Sequence, residues 1–251
     1  MVNLRSRVTR LGVLDIGSNT IHMLIVDAAP GARPDPEAST KSTVRLMQYV
    51  KDDGSIKKSG IEAILTAVDQ CMELAEEYDI TQLLAMATSA IKEAPNSNKI
   101  LRKIEERIGQ SVTVLSGTDE ARLTFLAARR WYAFPKSKHP AHAVGTSKMF
   151  RSLARLAGAV LRQSGREDTW IMTREQLEDW IPRLAAIEPE QRVALPGITP
   201  ERTMQIVGGG IVADEIMRSL NVHEVEICPW ALREGAILRW LDQFGRTRLG
   251  F

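Results

Sequence analysis

Apolar positions along this chain fall into two periods. Leu11 to Ile16 (LGVLDI) is a nearly continuous apolar run, and Ile21 to Asp27 (IHMLIVD) is another. The polar turn Gly17-Ser18-Asn19 between them predicts a β-hairpin. Val44 to Val50 alternates and predicts a third strand, closed by Asp52-Asp53-Gly54. Between Ile61 and Tyr78 the apolar residues Ile61, Ile64, Leu65, Val68, Met72, Leu74 and Ala75 recur at helical spacing. Leu83 to Thr88 predicts a short buried strand. Asn96 to Ile108 predicts a helix capped by Asn96 or Ser97, Val112 to Leu115 a strand, and Asp119 to about Trp131 a helix opened by Gly117 and Thr118. The first half thus reads β-β-β-α-β-α-β-α, an α/β layer in which an antiparallel hairpin feeds parallel strands.

The second half has a different texture. After Phe134 comes the polar loop PKSKHPAH, then the short strand Ala143-Val144. Thr146 or Ser147 caps a helix expected to run through Leu161. Thr173 caps another, with Gln176 placed to complete a capping box. Gln205 to Val207 predicts a strand entering Gly208-Gly209-Gly210 and a helix to Leu220. A strand at Glu224 to Cys228 and a helix at Ala231 to Phe244 complete this α-rich half. The change of texture divides the chain into domains 1–131 and 132–251.

A length of 251 residues suits one large or two small domains. With 44% hydrophobic and 25% charged residues, the composition excludes a disordered tail, a collagen and a coiled-coil rod. Two cysteines, Cys71 and Cys228, cannot build a disulfide framework, and no Cys/His cluster points to zinc. The apolar runs are too short to cross a bilayer. The basic start MVNLRSRVTR lacks a signal-peptide apolar region, so a cytoplasmic location is expected.

A net charge of +2 conceals an asymmetry. From Ala121 to Arg166 there is no Asp or Glu. The same stretch holds ten cations: Arg122, Arg129, Arg130, Lys136, Lys138, Lys148, Arg151, Arg155, Arg162 and Arg166. The remainder carries 33 − 10 = 23 basic and 31 acidic residues, a net of −8. Such a block suits a polyanion partner, and it equally suits a solvated helix face with acids supplied by the fold.

Four segments carry candidate chemistry. Asp15-Ile16-Gly17-Ser18-Asn19-Thr20 sets a carboxylate at a strand end before a turn rich in backbone and hydroxyl donors. Such a turn cradles phosphate, and the carboxylate can hold magnesium or its waters; an ordinary hairpin turn has the same pattern. Gly117-Thr118-Asp119-Glu120-Ala121-Arg122 places two acids in the first turn of a helix. There they offset the macrodipole, or one serves as a general base toward water. Ala87-Thr88-Ser89-Ala90-Ile91-Lys92 offers an anion contact, and Gly208-Gly209-Gly210 signals close packing. The histidines show no ligand spacing beyond the loose pair His139 and His142.

In order, these segments resemble the exopolyphosphatase / guanosine-pentaphosphate phosphatase family, in its actinobacterial style. The matching blocks are LGVLDIGSNTIHMLIVD, ATSAIKEAPNS, VLSGTDEARLTFLAARRWY, GTSKMFRSLARLAG, ITPERTMQIVGGGIVADEIM and VEICPWALREGAILRWL. The resemblance implies two ribonuclease-H-like domains of the actin-like ATPase superfamily with a phosphate cleft between them. It implies removal of the terminal phosphate of inorganic polyphosphate by in-line attack of water, assisted by Mg2+ or Mn2+. Its first phosphate loop carries over to Gly17, Ser18, Asn19 and Thr20, with Asp15 at the metal. Its water-activating glutamate carries over to Glu120, and its phosphate-contacting basic residue after ATSA falls at Lys92. Lys148 and Arg151, on the helix after GTS, are the cations of the basic block assigned first to the polyanion. Expected partners are inorganic polyphosphate or guanosine polyphosphate, with no membrane, no DNA, and a homodimer as one open assembly.

The chain departs from the family in one large respect. The family enters its second domain through a strand and a second phosphate loop, DIGGGS, and no such sequence occurs here. Phe134 runs directly into Pro135-Lys136-Ser137. The second domain is therefore expected to be incomplete at its start. A polyphosphate- or guanosine-polyphosphate-binding protein without hydrolysis, or a guanosine-pentaphosphate hydrolase, stands as the alternative.

Overall fold

A computed structural model describes residues 8–133, 143–164 and 167–249. By internal contacts they form two units. One holds the chain up to Leu123 together with the segment from Leu232 onward; the other is Thr124–Ala231. The sequence had suggested a single break after residue 131. The C-terminal helix instead belongs with the first unit.

The first unit is built on a five-stranded sheet, order β3-β2-β1-β4-β5. Its strands are β1 (Thr9–Ile16), β2 (Thr20–Ala28), β3 (Pro36–Thr43), β4 (Gln82–Ala87) and β5 (Thr113–Val114). β1 and β2 form the expected hairpin, while β4 and β5 run parallel to β1. The central strands are apolar on both sides because both faces are covered. Leu14, Ile16, Ile21 and Met23 pack with Ile64 and Val68 of α1 (Lys58–Glu77) and Ile100 and Ile104 of α3 (Ser97–Ile108). Leu11, Val13, Leu24 and Val26 pack with Leu123 of α4 (Gly117–Ala133) and Ile237 and Leu241 of α8 (Leu232–Leu249). The one-turn α2 (Ser89–Lys92) follows β4.

The third strand lies earlier than the alternation indicated. Pro36–Thr43 is an exposed edge strand of polar residues, PEASTKST, which carries no hydrophobic pattern. Residues 44–50 leave the sheet instead. Buried Val44 and Leu46 lead into a short 3-10 turn, Leu46–Tyr49.

The second unit has a four-stranded sheet, order β6-β9-β8-β7, with β6 (Val144–Thr146), β7 (Val160–Ser164), β8 (Glu167–Thr173) and β9 (Glu224–Cys228). Its core joins Leu153, Met172, Leu177, Leu184, Ile206, Met217 and Val225. These come largely from the sheet and from α5 (Lys148–Leu156), α6 (Arg174–Ala186) and α7 (Ile206–Ser219). The Thr173–Gln176 capping box opens α6 as expected. Two expectations are corrected. The helix after Ser147 stops at Leu156, because Gly158 (φ +67°) takes the left-handed position and the Ala159 amide donates back to the Ala154 carbonyl at 2.9 Å. The chain then forms the β7–β8 hairpin. Residues 205–207 are not a strand, and the three glycines lie inside α7. A Cβ on Gly209 would meet Met149 Sδ, and one on Gly210 would meet Ile181 Cγ1 at 3.1 Å, so these two serve close helix packing, while a Cβ on Gly208 would meet nothing within 4 Å.

The Phe134–Pro135 junction, His139 and His142 lie outside the described residues. Cys71 and Cys228 are buried, one in each unit. Among the described residues no helix is long and apolar enough to cross a membrane.

Candidate active site

Because β1, β4 and β5 are parallel neighbours, their carboxyl ends lie side by side. Ile16 pairs with Ala87, and Ala87 with Val114. The segments that follow these strands are the ones the sequence singled out: the turn Gly17–Asn19, then Thr88 and α2, then Ser116 and the start of α4. Backbone bonds lock the three ends together, Thr88 N–H to the Ile16 carbonyl at 3.2 Å and Leu115 N–H to the Ala87 carbonyl at 2.9 Å. Ligands of α/β sheets bind at such carboxyl ends.

The turn itself is tightly specified. Gly17 N–H donates to the Thr20 carbonyl at 3.0 Å. The Ser18 carbonyl accepts from Leu46 N–H at 2.8 Å, and the Asn19 carbonyl from Val44 and Arg45 N–H at 2.9 and 3.0 Å. The amides of Ser18 and Asn19 donate to no protein acceptor among the described residues. Two adjacent unspent N–H groups in a fixed turn are what an anionic oxygen requires. Thr88 adds a hydroxyl here, since a Cβ on Gly17 would lie 4.0 Å from Thr88 Oγ1.

Asp15 follows Leu11 and Val13 on the sheet face covered by α4 and α8. Across the hairpin it pairs with His22, whose Nδ1 is buried with no hydrogen-bond partner. At the start of α4, Ser116 and Asp119 bond reciprocally. Those bonds hold the Asp119 carboxyl below the usual carboxylate range, chiefly through the Ser116 hydroxyl. Glu120 behaves differently. Its Oε1 is buried and has no hydrogen-bond partner. A carboxylate oxygen can only accept, so its natural complement is a water, a protonated group or a cation. Lys92, at the end of α2, is exposed.

Lys148 and Arg151 belong to the second unit. They stand in the first turn of α5, which holds no acidic residue of its own, where cations oppose the macrodipole. Ser147 caps that helix at φ 99°, ψ 157°, accepting from Phe150 N–H at 3.3 Å. Arg151 Nη1 donates to the Pro229 carbonyl at 2.8 Å. The sequence reading missed Arg202. Burial, and then the nearby Arg151, pull its pKa below the ordinary arginine value, with Glu201 acting in the opposite direction. Buried Arg192 fixes the turn that carries it, donating to the carbonyls of Leu184, Ile187 and Thr203 at 3.1, 2.9 and 2.7 Å. Only folding brings Arg202 near Arg151.

The profile of the Ppx/GppA phosphatase family matches residues 24–139 and 133–244. The chain belongs to this family. Exopolyphosphatase 1 of Mycobacterium tuberculosis is 34% identical over 304 aligned positions, covering 93% of this chain and 88% of that protein; the Mycobacterium leprae exopolyphosphatase 1 matches at the same identity. An exopolyphosphatase crystal structure from Cytophaga hutchinsonii superposes with a TM-score of 0.79 at 17% identity, over 94% of this chain and 98% of that one. The Aquifex aeolicus Ppx/GppA family member gives 0.71 at 18% identity, over 94% and 99%. These two establish the shared α/β fold. The alignment also measures the departure noted in the sequence. Since 93% of 251 residues is about 233, and 304 − 233 = 71, about 71 aligned positions face gaps in this chain. The two family segments overlap at residues 133–139.

Proposed function

We propose that this family member is an exopolyphosphatase, a phosphoanhydride hydrolase that releases the terminal phosphate of inorganic polyphosphate. The observation that carries the reading is the buried, unpartnered Glu120 oxygen on a helix that starts at the same sheet end as the unspent amides of Ser18 and Asn19. The amides and Thr88 hold oxygens of the terminal phosphoryl group. Glu120 accepts a hydrogen bond from a water, orients it in line with the scissile P–O bond, and takes its proton as the bond to phosphorus forms. The shortened polyphosphate leaves from the opposite side. Lys92 supplies a cation for the polyanion; the second unit carries cations of its own in Lys148, Arg151 and Arg202.

The donor set suits magnesium or manganese. Among the described residues no three His, Cys, Asp or Glu side chains gather into a protein-only cage. Magnesium commonly uses one or two carboxylates plus substrate oxygens and water. Asp15, and the orphaned Glu120 oxygen through water, would hold the ion. When bound, it neutralises phosphoryl charge. A cytoplasmic setting and a homodimer belong to the same reading and are tested by cell fractionation and by the mass of the purified protein. The functional test is orthophosphate release from polyphosphate by the purified chain, with guanosine pentaphosphate as the competing substrate. Preferential cleavage of the nucleotide would overturn the choice of substrate.

A further inference from the structure

The strained backbone of this chain lies partly at the phosphate turn. Arg45 has φ 52° and ψ 58°, the left-handed region, although it is neither glycine nor asparagine. Its neighbours explain how it is held there. Val44 and Leu46 are 6% and 1% exposed, anchored in the core with α1, while Arg45 itself is exposed. The left-handed residue between the two anchors lets three consecutive amides, Val44, Arg45 and Leu46, reach two consecutive carbonyls, those of Asn19 and Ser18.

The orientation of the turn follows from peptide geometry. In a planar trans peptide the carbonyl and the next N–H point in opposite directions. The Ser18 carbonyl is directed at Leu46 N–H, so the Asn19 N–H is directed away from residues 44–46. That amide is one of the two left without a protein acceptor. We propose that residues 44–46 form a backbone clamp that aims the Asn19 amide at the substrate phosphate, with Arg45 as a positioning residue acting through its left-handed conformation. The proposal rests on the polyphosphate reading above and adds to it the device that holds the phosphate turn in its binding form.

The clamp makes an unusual prediction about substitutions. Arg45→Gly deletes the guanidinium but adopts the same backbone without strain. Arg45→Val keeps the amide but is a β-branched residue that resists positive φ. The experiment measures KM and kcat for polyphosphate, direct polyphosphate binding, and amide hydrogen exchange at Leu46 in wild type and both variants. The clamp predicts that Arg45→Gly keeps KM within about twofold, with slow exchange at Leu46. It predicts that Arg45→Val raises KM about tenfold, the size of effect that about 1.4 kcal/mol produces, with faster exchange at Leu46. Equal damage in both variants would mean that the guanidinium is what matters, and equal function in both would mean that the conformation is irrelevant; either overturns the clamp alone. Wild-type protein that neither binds nor cleaves polyphosphate overturns the functional reading, and the clamp's role in it as well.

Discussion

Ser116 and Asp119 close the first turn of α4 on each other. The Ser116 hydroxyl donates to Asp119 Oδ2 at 2.6 Å and accepts from the Asp119 amide at 3.1 Å. One of the two acids in Gly117-Thr118-Asp119-Glu120 is thereby committed to capping its own helix. The next residue, Glu120, keeps a buried oxygen with no such partner. The pair of carboxylates that sequence alone leaves equivalent is divided into an acid engaged by its own helix start and one whose buried oxygen has no hydrogen-bond partner.

Glu120→Gln preserves shape and removes the base. It is expected to lower kcat by about 10²–10⁴ while leaving the thermal midpoint nearly unchanged. Steady-state turnover and a melting curve on the same preparation check this. Unchanged turnover would remove Glu120 from the mechanism.

Asp119→Asn is expected to act mainly on stability, and in a pH-dependent way. The folded-state pKa of Asp119 is depressed by its Ser116 bonds. Its stabilising contribution is therefore present above the unfolded value of about 3.9 and is lost as pH falls through the folded value. The Tm gap between wild type and variant should be open at neutral pH and close in acid. A gap that widens toward low pH would contradict the assignment.

Gly235 is a packing point that reaches the site indirectly. A Cβ there would fall 1.9 Å from the Leu123 carbonyl oxygen, a backbone atom that no rotamer change can move aside. Gly235→Ala is expected to destabilise by about 1–3 kcal/mol or more through overpacking of α8 against α4. Leu123 sits three residues beyond Glu120 on the same helix, so kcat should fall as well. Denaturant unfolding and turnover measured together check both effects.

In the second unit, Lys148→Ala, Arg151→Ala and Arg202→Ala are each expected to weaken polyphosphate binding and to flatten its dependence on salt, because fewer counterions are released; duplex DNA provides the analogy. Titrations across an ionic-strength series decide this. Binding that ignores salt would return the basic block to the role of a solvated face.

The hairpin β1–β2, the helices α1 and α3, and the Thr173 capping box were legible because local pattern and tertiary burial agree there. β3 was not, since an exposed polar edge strand has no apolar alternation to read. β7 and β8 were hidden because the helical pattern of α5 reads on past Gly158, where the folded helix has already ended. The glycine triplet resembled a loop because the close approach of Met149 and Ile181 exists only in the fold. In the candidate site, Asp15 to Thr20 could be proposed from residue types and resemblance. Arg45 and Arg202 could not, since a positive φ and a juxtaposition of distant arginines are properties of the folded chain. The absent second phosphate loop was plain in the sequence, and it carries an energetic expectation. With fewer donors around the equatorial oxygens, turnover should be lower than that of relatives that retain the loop.

The most direct measurement is orthophosphate release from end-labelled polyphosphate of defined length by the purified 251-residue chain, with magnesium, with chelator, and in Glu120→Gln. The expected result is metal-dependent loss of single phosphates from the chain end, abolished by chelator and reduced at least about a hundredfold in the variant. Release that is absent in the wild type, or equal in wild type and variant, would contradict it.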